Sequence, residues 1–375
     1  MPDSPQTIAC LGPEGSFSHE FALSHFVNGC QFQCVDGDFV EVIGKVRDGT
    51  CSHAVIPFLN SNGIDVRPAQ IALGQNRDWV RVDGCYPHLV THNVIVTRHF
   101  RELKKVISKE QVFPQCTGWL QQWQGLVKEN APSTSAALLN LLEAPIEEQR
   151  MSGAICNSLA HELYGGKVLF PRIENPRNTT LFLVVSKADV SRDQEQLLVC
   201  LTCPTEECYK LAIAEFAVAR FPLKFTSLKG EFSDEMPCFL QFDDTGQRQE
   251  LESLLASPHR HLIGAYPTKH SFSACIAAFF DEDYRRSGIW TLVNRLSQLH
   301  NSTTPQLHNS MSNRSQFSLE VAQMGKVWVA SLSLLGISVI GGTKAAAIEA
   351  VMEAFKTHAL AGVPDYLGES SEVCS

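Results

Sequence analysis

The sequence has no apolar run near the roughly 20 residues that a membrane-spanning helix needs, so no membrane partner is expected. Its first residues, Met1-Pro2-Asp3-Ser4-Pro5-Gln6, lack the basic and apolar regions of a secretory leader, and a strand-like run begins at Ile8; a cytoplasmic protein is expected. Clustered Lys and Arg are missing too, and the net charge is −9, which argues against nucleic acid as a partner because that affinity rests on neutralising phosphates. A local cationic pocket can still hold a small anion on such a protein. The thirteen histidines include no close pair on one helix face, and no nucleophile elbow is present, so metalloenzymes and hydrolases lack their usual signatures. His19, His53 and His92 are read as structural or exposed. Cysteine is not scarce: thirteen are spread along the chain, an odd number without a secretory leader, which favours reduced thiols over a disulfide framework. Cys200-Leu201-Thr202-Cys203 with Cys208 has no second compact Cys/His pair to complete a tetrahedral site, so no metal is expected.

What is present is ordinary globular material. A chain of 375 residues, 44% hydrophobic and 19% charged, is long enough for two or three domains. Its first half alternates β-rich runs with helical ones: Thr7 to Leu11, then Ser18 to Phe26; Ala54 to Pro57; Asn93 to Thr97, then Thr117 to Leu126; Ser133 to Leu142; Gly153 to Cys156; Ser158 to Tyr164; and Thr180 to Ser186. That alternation predicts an α/β domain with helices on mainly parallel strands. The polar connector 186–196 cannot bury an apolar face and marks a boundary. After it, strand Leu197 to Thr202, helix Glu206 to Ala219, strands Lys224 to Glu231 and Cys238 to Asp243, helix Gln247 to Ala256 and strand His261 to Tyr266 form a βαββαβ pattern, the order of a ferredoxin-like α+β unit. Further helices are expected at Ser271 to Phe280, Ile289 to Leu299 and Thr343 to Phe355, with a polar loop at His300 to Ser315 and a strand-like run at Lys326 to Leu334.

Three segments carry groups suited to a small anion. Gly12-Pro13-Glu14-Gly15-Ser16-Phe17-Ser18 joins the first strand to a helix; its glycines allow close backbone approach, and free N–H groups with the Ser16 and Ser18 hydroxyls can hold an oxyanion, although an ordinary turn with a serine cap reads the same way. Val55 to Gly63 runs from a strand into a polar turn, where Asn60 and Ser61 could meet a ligand at the carboxyl end of a strand or simply form the turn. Ser133-Thr134-Ser135-Ala136-Ala137 opens a helix, where Ser133 and Thr134 can cap the helix, hold a carboxylate, or both.

These segments, followed in order by Ala154-Ile155-Cys156-Asn157 through Tyr164-Gly165 and by Asn178-Thr179-Thr180-Leu181-Phe182, resemble the prephenate dehydratase catalytic domain over about residues 7–186. The resemblance implies a fold of two α/β lobes similar to periplasmic binding proteins, a cleft that binds prephenate, and chemistry without cofactor or metal. It implies Thr180 as the catalytic proton donor and Ser16, Asn60, Ser61, Ser133, Thr134, Asn157 and Phe182 around the substrate. Two positions depart from the family: Leu181 stands in place of its arginine, which would hold a substrate carboxylate, and Leu59 in place of its glutamate. Non-aromatising prephenate decarboxylases resemble dehydratases and alter this same signature. The functions to weigh are therefore a dehydratase giving phenylpyruvate, a decarboxylase that keeps the ring hydroxyl, and a small-molecule sensor without turnover.

Residues 197–267 resemble the ACT regulatory domain, with Pro204 to Cys208 in place of its Gly-Ala-Leu loop and Lys229 to Phe232 in place of its Glu-Ser-Arg-Pro element. The expected division is thus a catalytic domain at 7–186, an ACT-like domain at 197–267 and a C-terminal region at 268–375 without an assigned role. Self-association as a homo-oligomer is compatible with this reading.

Overall fold

The computed structural model describes residues 6–26, 29–62, 64–187, 194–202, 205, 209, 212–213, 215–216, 219, 221, 223–227, 237–279, 319–324, 327–332 and 337–341. The chain divides into two units, Met1–Arg192 with Ile263–Arg285, and Asp193–Leu262 with Arg286–Ser375.

The first unit contains two lobes, each with its own sheet. Strands β1 (Thr7–Leu11), β2 (Gln31–Val35), β3 (His53–Asn60), β4 (Ile64–Asp65) and β5 (Arg81–Leu89) belong to lobe 1. The chain then crosses to lobe 2 for β6 (Asn93–Val96), β7 (Lys105–Ser108), β8 (Val127–Asn130), β9 (Ser152–Cys156) and β10 (Lys167–Phe170), and returns to lobe 1 as β11 (Thr179–Ser186). Lobe 1 has the order β5-β11-β3-β1-β2 with β4 on β3; lobe 2 has the order β10-β6-β9-β7-β8. The strands are not mainly parallel. β1 is parallel to β2 and β3, whereas the returning β11 inserts antiparallel between β3 and β5, and lobe 2 is likewise mixed.

Helices α1 (Phe17–His25), α2 (Phe39–Arg47) and α3 (Arg67–Gln75) belong to lobe 1; α4 (Thr117–Leu120), α5 (Thr134–Glu143), α6 (Ile146–Gln149) and α7 (Ser158–Tyr164) belong to lobe 2. The apolar run from Ala54 to Leu59 is buried except for the half-buried Pro57, as expected for a strand covered on both faces. In lobe 2, α5 buries Ala137, Leu138 and Leu141 against Ile107, Ala154 and Cys156. The helix expected at Thr117 to Leu126 stops at Leu120, because the chain turns through Gly125 at φ 73° into β8 while Trp119 and Trp123 pack on Phe170.

In the second unit, β12 (Gln196–Thr202) pairs antiparallel with β14 (Pro237–Asp243), which pairs antiparallel with β13 (Leu223–Thr226). The Thr202 N–H donates to the carbonyl of His259 (3.0 Å), so α8 (Arg248–Leu255) leads the chain back along the free side of β12 as β15 (Arg260–Tyr266) begins. The resulting order β13-β14-β12-β15 is that of a ferredoxin-like sheet. Residues 263–266 at the end of β15 group with the first unit, where Gly264 pairs with Val82; there α9 (Phe272–Phe279) sets Phe272 against Phe58, ring centroids 4.9 Å apart. The strand expected at Lys326 to Leu334 is Val327–Leu332, the centre of an antiparallel set with Leu319–Met324 and Ile337–Gly341. The helix Glu206 to Ala219, the stretch from Leu228 to Glu231, the segments Pro204 to Cys208 and Lys229 to Phe232, the helices Ile289 to Leu299 and Thr343 to Phe355 and the loop His300 to Ser315 lie wholly or mostly outside the described residues. Among the described residues, no helix is long and apolar enough to cross a membrane.

Candidate active site

The two passages between the lobes lie side by side. The Val90 N–H donates to the Asn178 carbonyl and the Ile173 N–H to the His92 carbonyl, both at 2.8 Å, while the His92 N–H donates to Glu174 Oε2 (2.8 Å). Residues at this junction are polar yet buried: His92 and Asn178 are both fully buried. Such groups need partners, and an amide network supplies them. Asn178 Nδ2 donates to Gln115 Oε1 (2.9 Å), which also meets His92 Nε2 (2.9 Å); Asn178 Oδ1 accepts from Asn60 Nδ2 and Asn62 Nδ2, each at 2.9 Å.

Thr180 sits at the end of this network. Its Oγ1 accepts from Asn60 Nδ2 (3.0 Å), while its own O–H proton has no acceptor among the described residues. Asn60 Oδ1 in turn accepts from the backbone and side chain of Asn62 at 2.9 and 3.0 Å. Both amide protons and the carbonyl of Asn60 are therefore engaged, one of them on Thr180 Oγ1. Ser61 is similarly engaged, donating to the Arg177 carbonyl (2.8 Å) and accepting from the Thr179 N–H (2.9 Å), which fastens the start of β11 to the end of β3.

A β-bulge decides that Asn60 and Thr180 meet. Leu181 is paired with Leu59 but Phe182 with Pro57, so β3 carries one extra residue at this point. Because side chains alternate faces along a strand, the extra residue brings Asn60 onto the same face as Pro57, Phe182 and Thr180. It also puts Leu181 and Leu59 together on the opposite face, both buried (0% and 2% exposed). The two departures from the dehydratase pattern are thus cross-strand neighbours, and Leu181 points away from the Thr180 hydroxyl. Phe182 shares the face of Thr180 but not its surroundings: its ring stacks on Phe21 (4.3 Å, 7°) in the lobe 1 core, 1% exposed, which leaves it little surface for a ligand.

Across the other edge of β11, Thr180 is paired with His88, whose Nε2 lies 3.3 Å from Glu20 Oε2 of α1. His88 also meets Phe21 and Phe182 edge-on. Sequence reading singled out neither His88 nor Glu20, because a strand pairing across 92 residues leaves no local pattern.

Three helix starts gather around the turn at Gly15. Ser16, Ser133 and Asn157 are the N-caps of α1, α5 and α7, accepting from the N–H groups of His19, Ala136 and Ala160. Ser16 also donates to the Leu11 carbonyl (2.6 Å), so its hydroxyl is fully engaged in the turn. Gly15, at φ 76°, lies so close to lobe 2 that an added Cβ would meet Ser135 Oγ at 3.2 Å and Ala160 Cα at 3.1 Å; only glycine fits both constraints. Tyr164 donates its hydroxyl to the Glu14 carbonyl (2.9 Å), joining the same turn to α7. Helix starts carry partial positive charge, so their grouping favours an anion. Thr134 is buried at the first position of α5. Three buried polar atoms around this turn have no partner among the described residues: Ser135 Oγ, Asn157 Nδ2 and His92 Nδ1. His92 packs edge-on against Phe17 (5.1 Å), next to Ser16. Burial holds its imidazole below the usual range, against the raising influence of Gln115 and the charges of Glu174 and Glu20, so it is neutral at pH 7. Ser135 was within reach of sequence reading as part of the Ser133-Thr134-Ser135 run; His92 and Gln115 were not.

No group of three or more His, Cys, Asp or Glu residues that could hold a metal ion occurs among the described residues. A cavity of about 300 Å³ lined by Trp119, Gln122, Phe170, Arg172, Glu174 and Asn175 opens on lobe 2 and contains none of the Thr180 cluster.

Residues 8–190 match the family model for prephenate dehydratase. Over this region, just under half of the chain, the sequence is similar to the prephenate dehydratase family. A bifunctional chorismate mutase/prephenate dehydratase from Stutzerimonas stutzeri is 28% identical over 194 residues, 50% of this chain and 50% of that protein, so the chain spans about half the length of the curated relatives it matches. Among solved structures, the prephenate dehydratase of Arthrobacter aurescens in complex with L-Phe aligns with a TM-score of 0.58 at 19% identity, over 72% of this chain and 96% of that one. GqqA, described as a novel type of quorum quenching acylase, aligns with a TM-score of 0.54 at 19% identity, over 70% of this chain and 98% of that one. At these identities the two structures speak for the fold alone. One fold accompanies two described activities, so the reaction has to be argued from the site.

Proposed function

We propose that the chain is a cofactor-independent prephenate lyase of the dehydratase type, with Thr180 as proton donor. The observation that carries this reading is the Asn60–Thr180 contact: Asn60 occupies an acceptor position on Oγ1, leaving the hydroxyl proton without an acceptor among the described residues and available to a ligand. Departure of the ring carboxylate of prephenate as CO2 sends its electron pair across the diene and expels the para hydroxyl. A proton from Thr180 turns that leaving group into water, and phenylpyruvate remains. The Asn60 N–H, already on Oγ1, steadies the negative charge left there.

The unpartnered Ser135 Oγ and Asn157 Nδ2 supply the polar contacts to the substrate, aided by the helix starts at Ser16, Ser133 and Thr134. Asn60 and Ser61 serve by position, and Phe182 by packing under Thr180. The Leu59–Leu181 pair lies on the far face, so its departure from the family pattern leaves the Thr180 geometry in place. That favours dehydration over decarboxylation with retention of the hydroxyl. The ferredoxin-like unit, by its strand order, is the counterpart of an ACT domain, and the surroundings of the reaction are cytoplasmic.

The test is incubation of purified protein with prephenate beside a no-enzyme control, with products identified by proton NMR and mass spectrometry. Phenylpyruvate that disappears in Thr180→Ala supports the proposal. A non-aromatic dihydro-hydroxyphenylpyruvate would replace it with the decarboxylase, and absence of turnover with the sensor.

A further inference from the structure

β1 and β2 set two thiols side by side next to the turn at 12–18. Cys10 and Cys34 are direct partners in the parallel register, and their Sγ atoms are 3.6 Å apart. Adjacent strands lie about 4.8 Å apart, within the Cα separation of about 4.4–6.8 Å that a disulfide spans. Cys10 is fully buried, whereas Cys34 is partly open to solvent.

His19 on α1 lies beside Cys34. Its Nδ1 accepts the Gly15 N–H (3.1 Å), which fixes the neutral tautomer with its proton on Nε2. Donation from Cys10 and from His19 outweighs burial and draws the Cys34 thiol down to about 6; Glu14 opposes this. Cys10, the donor, is pushed up instead, with Cys51 and Glu14 adding to that effect. Asp36 near Gly12 and Tyr164 complete the titratable groups around the pair. An accessible thiolate beside a second, protonated thiol is the arrangement of a redox-reactive cysteine with a resolving partner.

We propose that this pair is a modification site for hydroperoxides, in which Cys34 reacts and Cys10 resolves to give a reversible Cys10–Cys34 disulfide. In the first step the Cys34 sulfur attacks one peroxide oxygen; an S–O bond forms, the O–O bond breaks, and hydroxide or alkoxide leaves, giving a sulfenic acid. In the second the Cys10 sulfur attacks Cys34, the S–O bond breaks, and the Cys10 proton leaves with the hydroxide as water. The sulfur is oxidised by two electrons and the peroxide is reduced by two. The sulfur atoms must close from 3.6 Å to about 2.05 Å, a movement open to side chains already in register. Because His19 accepts the Gly15 amide and lies beside Cys34, oxidation is linked to the turn at 12–18.

The test treats the full chain with hydrogen peroxide, alkylates the remaining thiols, and maps peptides by mass. A peptide linking Cys10 to Cys34, lighter by two hydrogens and separated again by dithiothreitol, is expected. In Cys10→Ser, Cys34 should be trapped by dimedone as the sulfenic acid. With a thiol brought down to about 6 and nucleophilicity falling with pKa, iodoacetamide should label Cys34 about tenfold faster at pH 6 than a free cysteine peptide. Oxidation should speed amide exchange across residues 12–18. Absence of the linked peptide in the unmodified chain would overturn the disulfide, a dimedone-inert Cys34 in the variant would overturn its role as the reacting thiol, and unchanged exchange would overturn the link to the turn.

Discussion

Replacing Leu181 with arginine, the residue the dehydratase pattern has there, is expected to damage this protein rather than restore it. Leu181 is fully buried and faces Leu59, 2% exposed, across β11 and β3. A guanidinium at that place has no anion to meet, and an uncompensated buried charge costs about 3–5 kcal/mol. For a unit of this size that corresponds to a fall in Tm of about 6–20 °C. Leu59→Glu alone should cost less at low pH, because burial lets the carboxyl take up a proton. Combining the two substitutions places a cation opposite an anion. Replacing an apolar pair by a buried ion pair typically costs about 1–4 kcal/mol, so the double variant should melt above Leu181→Arg despite carrying one more change. Thermal and urea unfolding of the four proteins closes the cycle, with a coupling of several kcal/mol expected. Leu181→Arg melting within about 2 °C of the parent, or additive effects, would refute the reasoning; the former would mean that residue 181 reaches solvent or the cleft, and the carboxylate-anchor role would return.

Thr180→Ala should lower dehydration by about 10²–10⁴-fold with little change in melting, and Thr180→Ser should retain part of the rate; steady-state kinetics and a thermal melt decide both. Asn60→Ala should lower kcat more than it raises KM, since Asn60 orients the donor; a KM effect alone would make it a substrate contact instead. Ser135→Ala removes a buried hydroxyl without a partner, so Tm should hold or rise while KM for prephenate increases about tenfold; an unchanged KM would remove Ser135 from the substrate site. Burial lowers the His92 pKa below its ordinary 6.5, so the unfolded chain binds that proton more tightly than the folded one. The stability it allows is therefore complete above about pH 6.5 and is lost as the pH falls through the folded value. His92→Asn should flatten the decline in Tm between pH 7.5 and 5.5, and an unaltered slope would count against the assignment.

Much of the first unit was legible in the chain because its signals are local. Ser16, Ser133 and Asn157 each precede an apolar helical run, and each caps a helix. The β-rich runs at Thr7 and Gly153 became strands within a residue or so of expectation, since continuous apolar residues in a covered strand are a one-dimensional signal. In the second unit the described strands take the order β13-β14-β12-β15, while the first helix of the expected βαββαβ pattern lies mostly outside the described residues.

The partners of the site residues were not legible. His88 lies beside Thr180, Leu59 beside Leu181, and Cys10 beside Cys34 only because strands distant in sequence were placed in register. Read singly, Leu59 and Leu181 look like two lost charges; in the sheet they are one apolar contact on the face opposite Thr180. A single extra residue in β3 decides that face, because side chains alternate with period two and one insertion reverses every position beyond it. The sequence by itself therefore determined which residue types were present and which helices they start. Only tertiary structure decided which hydroxyl proton is free and which thiols touch, since those follow from register and crossing rather than from local propensity.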